Sequence, residues 1–288
     1  AMYHTKHMGR NGYHFFQPSM NTLAQKQLQL MNDLWLAQDR HELHLVYQPK
    51  FQAPAGPIVG FEALLRWQHP TQGLLSPDQF LPLAEKSGLI IPIGNWVIDE
   101  ACRQLRVWHL EGHTEWSIAV NLSTLQFEQP QLVDTVMGSL ARHGIPPHTL
   151  ILEVTETTAM NNPDESVRVL TELTQAGVKA SIDDFGTGYS SLLYLKKLPA
   201  CELKIDRAFV KDLNGTGEDA TIVAAIIALA KTLNLKVVAE GVETQEQQTF
   251  LTELGCTTLQ GFLLGKPVSA QTINAMSRDP QALLTQQI

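Results

Sequence analysis

Nine residues of the kinds that hold cations or handle protons stand at the ends of short apolar runs. Glu62 follows VGF, Asn121 closes SIAVN, Glu153 lies in LILEVTE, Asp183 and Asp184 end VKASIDD, Lys204 and Asp206 lie in ELKID, Glu240 follows KVVA and Gln260 closes TTLQ. Any one acid after a strand is commonly a helix N-cap or a solvated loop charge. The carboxylates of Glu62, Glu153, Asp183, Asp184 and Glu240, together with Asn121 and Lys204, are harder to attribute to capping, because crowded like charges repel unless cations intervene. Oxygen donors without a cysteine cluster favour Mg2+, Mn2+ or Ca2+ over a structural zinc. Two such ions roughly 3.5–4 Å apart would use this many carboxylates and would suit phosphoester hydrolysis.

The apolar runs themselves are the elements that must position these groups. Strands are expected at Leu43–Pro49, Ile58–Trp67, Ser117–Leu122, Leu150–Thr155, Val178–Asp183, Glu202–Ile205, Lys236–Ala239 and Thr257–Gln260. Between them, apolar stripes at helical spacing mark Pro77–Lys86, Ile93–Trp108, Leu132–Arg142, Pro163–Gln175, Ala220–Thr232 and Gln245–Leu254. Strands alternating with helices imply an α/β fold with a mostly parallel sheet, and eight of them suit a closed (β/α)8 barrel. In such a barrel the C-terminal strand ends converge on one face and carry the chemistry, so the nine residues would share a site. A doubly wound open sheet is the alternative, though no GxGxxG follows the first strand to support it.

Composition sets outer bounds. The chain has 288 residues, of which 44% are hydrophobic and 17% charged, values of a protein with a sizeable core rather than a disordered one. A net charge of −8 argues against a DNA or RNA polymer as partner, and an anionic ligand would need a local basic cluster or metal ions to overcome it. The longest apolar runs, such as Ala224–Ala230, fall short of the roughly 20 residues of a membrane span, so no membrane contact is expected of this segment. Cys102, Cys201 and Cys256 are odd in number and far apart, which fits a reducing cytoplasm better than a disulfide framework.

Weaker motifs are read conservatively. His109 and His113 lack the glutamate of a zinc-protease helix and are expected to end a surface helix. DDFGTGYSS at 183–191 has two glycines but no P-loop pattern and is expected to be a loop, and no GxSxG supports a serine nucleophile.

From about Glu42 to Ala270 the chain resembles the EAL-domain family of cyclic di-GMP phosphodiesterases. The resemblance is carried by YQPKF at 47–51, FEALLRW at 61–67, NLS at 121–123, EVTE at 153–156, DDFGTGYSSL at 183–192, LKIDRAFV at 203–210, VVAEGVET at 237–244 and QGF at 260–262. It implies a modified TIM barrel whose first strand runs antiparallel to the rest. It also implies two divalent ions, Mg2+ or Mn2+, with Ca2+ inhibitory. Glu62, Asn121, Glu153 and Asp183 would surround one ion, while Asp183, Asp184 and Glu240 would serve the second. Lys204 would stand beside the attacking water, Gln260 would help to hold it, and Arg66 would clamp a phosphate. Gln48 and Glu243 match positions that contact a guanine, and Asp206 is assigned to substrate binding with them. Glu156 matches a residue that steadies the loop containing Gly186 and Gly188, which the family couples to dimer contacts. The departures, at Ala200, Cys201 and 265–267, touch none of these residues.

Residues 1–19 resemble the end of a GGDEF diguanylate cyclase domain, which implies a tandem parent protein. The reading is then a domain remnant at 1–19, a linker helix over 20–41 with Asn21 as its N-cap, and an EAL domain over 42–288. The parent is expected in the cytoplasm or anchored to the inner membrane. The expected activity is metal-dependent hydrolysis of cyclic di-GMP to linear pGpG. A non-catalytic cyclic di-GMP receptor and an unrelated single-metal (β/α)8 enzyme stay open beside it. A homodimer is expected with its interface near the DDFGTG loop and the helix beginning around Asp206, motivated by the resemblance and by the apolar Phe209, Val210 and Leu213, for which ordinary core packing is the alternative.

Overall fold

A run such as Leu150–Thr155 is too short for a helix of useful length and is buried along nearly its whole extent, as strands of a parallel sheet covered on both faces must be. The computed structural model describes residues 18–54, 56–188, 192–213 and 217–278. Its strands are β1 (Leu43–Gln52), β2 (Ile58–His69), β3 (Gly73–Leu75), β4 (Ser117–Leu122), β5 (Leu150–Thr155), β6 (Lys179–Phe185), β7 (Glu202–Ile205), β8 (Lys236–Ala239) and β9 (Thr258–Leu259). They run in the order β1-β9-β8-β7-β6-β5-β4-β2-β3, and pairing of β1 with β2 closes the eight-stranded barrel that leaves β3 outside. β1 lies antiparallel to β9, with Phe51 opposite Leu259, whereas β2 and β4–β9 are mutually parallel. The expected modified TIM barrel is therefore present, its reversed strand included.

Two compact units divide the chain: one joins Arg66–Ile90 to the chain up to His44, and the other joins Leu45–Leu65 to the chain from Ile91 onward. In the first, the helix Pro18–Ala37 begins three residues before Asn21, which is thus inside it rather than its cap. Pro18 suits the opening position because its fixed φ is helical and its missing N–H would be unpaired there anyway. The helix stops at Ala37, short of His41, whose φ of 55° turns the chain into β1. β3, absent from the expected strands, pairs antiparallel with the end of β2 and is too short for any period to show. His69 on β2 is buried, and its Nδ1 accepts the backbone N–H groups of Thr71 and Gln72, both at 3.2 Å. Its Nε2 therefore carries the proton and faces Asp33 of the helix at 3.4 Å.

In the second unit, helix Ile90–Leu110 buries Ile98, Ala101, Leu105 and Trp108. Trp108 meets Phe61 of β2 at 4.6 Å and Tyr47 of β1 at 5.1 Å between ring centroids, which ties the helix to the barrel wall. His109 lies in the last turn of this helix as expected, whereas His113 lies three residues beyond its end, its ring stacked on Trp116 at 3.8 Å. No helix among the described residues is long and apolar enough to cross a membrane.

Candidate functional site

In a parallel barrel, side chains at equivalent heights on neighbouring strands point to the same side, and register decides which ones meet. Asn121 on β4 lies opposite Glu153 on β5, and Thr155 on β5 lies opposite Asp183 on β6. From these strand ends a connected network forms. Asn121 Nδ2 donates to Glu62 Oε1 at 2.7 Å, and Gln260 Nε2 donates to Glu62 Oε2 at 2.6 Å and to Gln48 Oε1 at 3.1 Å. Gln48 in turn donates to the carbonyl of Gly265 at 3.1 Å, which anchors β1 to the loop after β9.

Lys204 on β7 is fully buried at the centre. Its Nζ stands 2.6 Å from Glu240, 2.8 Å from Glu153, 3.0 Å from Asp183 and 3.8 Å from Glu62. Burial would lower the pKa of this ammonium, but the four surrounding carboxylates raise it well above its ordinary value. Burial likewise works to raise Glu153, yet Lys204 and Lys50 hold it at about 2. Two neighbours go the other way. Burial and the negative charges around them push Asp183 up to about 6 and Glu240 up to about 8, against the pull of Lys204.

Adjacent residues of a strand normally point to opposite faces, so Asp183 and Asp184 should diverge. They do not, because β6 shifts register against β7 between Ile182 and Phe185, and Asp184 takes a left-handed φ of 53°. As a result Asp183, Asp184 and Glu240 each offer an oxygen, all within 4.8 Å of one another. Burial raises the pKa of Asp184, and so does its hydrogen-bonded neighbour Asp206. Asp206 Oδ1 also accepts the N–H of Ala208 at 2.7 Å and caps the short helix Arg207–Lys211. Five carboxylates against the two ammonium groups of Lys204 and Lys50, with oxygen the only donor type, make a cluster that fits hard divalent cations.

Beside this network Glu156 is buried and accepts the N–H of Gly186 at 2.8 Å. Gly186 has a φ of 99°, and a Cβ there would lie 3.0 Å from the Phe209 ring. A Cβ at Gly188 would lie 2.9 Å from Glu156 Oε1, so a side chain there would push on the Glu156 carboxylate, while one at Gly186 would in addition be strained by the left-handed backbone. Residues 189–191 of the loop lie outside the described residues.

Two expected residues stand apart. Arg66 is half-buried on β2, four residues beyond Glu62 and on the same face of the strand by alternation, but it belongs to the first compact unit. Glu243 is exposed and lines a groove of about 450 Å³ with Phe262, Leu263 and Lys266. Of the expected apolar stretch, Val210 and Leu213 are buried in the chain's own core, and only Phe209 is half-exposed. Sequence reasoning missed Lys50, which is buried with its Nζ 2.7 Å from Glu153 Oε1 and 3.8 Å from Glu202. Its place two residues after Gln48 puts it on the same face of β1, but nothing local marks its distant partner Glu153.

Comparison with known proteins bears on the family and the fold. The EAL domain family model matches residues 31–267. The chain is 62% identical over 275 residues to the bifunctional diguanylate cyclase/cyclic di-GMP phosphodiesterase MucR of Pseudomonas aeruginosa, covering 96% of this chain and 40% of that protein. It is 44% identical over 278 residues to the cyclic di-GMP phosphodiesterase NbdA of the same organism, covering 96% and 36%. It thus spans about two fifths of the length of these curated relatives. Among solved structures, the PaMucR phosphodiesterase in complex with c-di-GMP matches with a TM-score of 0.83 and 62% identity, over 85% of this chain and 99% of that one. The FimX EAL domain of Pseudomonas aeruginosa bound to c-di-GMP matches with a TM-score of 0.76 and 26% identity, over 83% and 96%. By sequence match and by fold, the chain belongs to the EAL-domain family.

Proposed function

We propose that this domain hydrolyses cyclic di-GMP to linear pGpG with the help of two divalent cations, Mg2+ or Mn2+. The observation that carries the reading is the convergence of Glu62, Asn121, Glu153, Asp183, Asp184 and Glu240 around the buried Lys204. Glu62, Asn121, Glu153 and Asp183 would hold one cation, and Asp183, Asp184 and Glu240 the other. When bound, the ions neutralise the phosphodiester's charge and acidify a water. The chain's own residues do the rest. Lys204, whose ammonium is shared by Glu240, Glu153 and Asp183 here, would turn an N–H to the attacking water as cations engage those carboxylates, and Gln260, held by Glu62 and Gln48, would limit where that water can sit. Water oxygen bonds to phosphorus, one ester P–O bond breaks, and the 3′ oxygen leaves with a proton.

Arg66 would clamp a phosphate, with Gln48, Glu243 and Asp206 contacting the rest of the nucleotide. Arg66→Ala is expected to raise KM about 10- to 100-fold with kcat little changed, since a charge-assisted phosphate contact contributes roughly 1.5–3 kcal/mol. Steady-state kinetics check this; an unchanged KM would remove Arg66 from the site. The deciding experiment for the function is chromatography of cyclic di-GMP incubated with the purified protein and Mg2+. A linear product supports hydrolysis, whereas tight binding without product would make the chain a receptor.

The site's coupling to self-association is also part of the proposal. The exposed Leu192 and Leu193 directly follow the loop that Glu156 steadies through Gly186 and Gly188, which suits a homodimer contact there. Specific activity should therefore rise with protein concentration as dimers order the loop. Sedimentation run beside activity over a dilution series tests it, and full activity in the monomer would end the idea. Residues 1–19 we read as the end of an upstream GGDEF domain, residues 20–41 as the inter-domain helix and residues 42–288 as the EAL domain of a cytoplasmic or membrane-anchored parent. Residues 1–17 lie outside the described residues.

A further inference from the structure

Glu153 has no solvent-exposed side-chain surface, and each of its oxygens is taken by a different lysine. Lys204 divides its ammonium among four carboxylates. Lys50 has one hydrogen bond to a carboxylate, 2.7 Å to Glu153 Oε1, and its next acidic neighbour, Glu202, is at 3.8 Å. Alternation along β1 explains the arrangement. Phe51 lies opposite Leu259, and on the alternate positions of β1 Gln48 bonds Gln260 while Lys50, two residues on and on the same face of the strand, bonds Glu153. Glu202, two residues before Lys204 on β7, is in register with Glu153 through Ser181 of β6.

We propose that Lys50 is a positioning residue that holds Glu153 Oε1 and so leaves Oε2, on the Lys204 side, as the oxygen Glu153 offers to the cation cluster. With Oε1 held by Lys50, Glu153 would offer a bound cation a single oxygen in a set direction. Such partners of ligating groups commonly change metal affinity or activity 10- to 100-fold when removed. The inference deepens the metal-dependent reading of the site and rests on it.

Lys50→Met by itself leaves Glu202 buried without its nearest cation, so the experiment includes Glu202→Gln and the double variant Lys50→Met/Glu202→Gln. Mg2+ affinity is measured by calorimetry without substrate, alongside kcat and KM for cyclic di-GMP. The double variant is expected to bind Mg2+ about 10- to 100-fold more weakly, with KM at saturating Mg2+ within about 3-fold of the parent and Glu202→Gln close to the parent throughout. Parental Mg2+ affinity in the double variant would overturn the proposal, as would a full loss in Glu202→Gln alone. A parent protein that binds no Mg2+ at all would instead overturn the metal reading beneath it.

Discussion

Replacing Lys204 by alanine is expected to reduce cyclic di-GMP turnover at saturating Mg2+ by roughly 10²–10⁴-fold, the range for a positioned group that aligns or moves a proton in the rate-limiting step. The structure adds an effect on stability that a view of Lys204 as a water-orienting group alone would not contain. Its ammonium is the shared partner of Glu62, Glu153, Asp183 and Glu240. Removing one side of a buried ion pair costs about 3–5 kcal/mol, and partial protonation of Asp183 and Glu240 would relieve some of that. The metal-free variant should thus melt well below the parent protein, and Mg2+ should raise its Tm more than it raises the parent's. Circular dichroism melts with and without Mg2+ measure this. Near-normal turnover, or a metal-free Tm equal to the parent's, would show that Lys204 is not the hub of the cluster.

Chelation should abolish hydrolysis, and Mg2+ or Mn2+ should restore it. Ca2+ should inhibit, since its larger radius and looser coordination suit the site poorly. Full turnover in excess chelator would end the two-metal reading. The same carboxylates predict how the metal-free protein responds to pH. Asp183 and Glu240 keep their protons to about 6 and about 8 when folded, against 3.8 and 4.5 ordinarily. As pH rises between those limits the unfolded chain gives up protons that the folded chain retains, so stability falls. Glu153, held at about 2, acts oppositely: its contribution is present above about 4.5 and is lost as pH falls toward 2. Thermal melts in chelator should therefore show Tm declining from pH 5 to pH 8, with Mg2+ reducing the decline. Glu240→Gln should flatten it, and a slope unaltered by that substitution would assign the effect elsewhere.

Much of this was legible from the chain. β4, β5, β7 and β8 and the helices Pro163–Gln175 and Gln245–Leu254 have the bounds that their apolar periods imply, because a largely buried strand, or a helix with one buried stripe, leaves little choice where the run begins and ends. The acids at the strand ends were legible for the same reason, since a polar residue closing an apolar run stands where the barrel opens. What one strand's period cannot show is a partner contributed by a distant strand. Lys50 meets Glu153 across 103 positions of sequence, and nothing local in YQPKF announces it. The helix expected to begin around Asp206 is present as Arg207–Lys211, whereas Glu156–Asn161 escaped because it begins at a strand end and is shorter than two turns. Arg66 and Glu243 were suggested by family resemblance alone.

The left-handed turn at Asp184 has a further consequence. A non-glycine residue in such a conformation carries a cost of about 1–3 kcal/mol, met by the surrounding structure. The cluster is thus assembled in advance of any cation, with the conformational work done during folding rather than at binding. A cation arriving at Asp183, Asp184 and Glu240 finds their oxygens already gathered, and its affinity is not reduced by bending the strand into shape. The same economy makes the end of β6 the place where the empty protein has most to gain by relaxing.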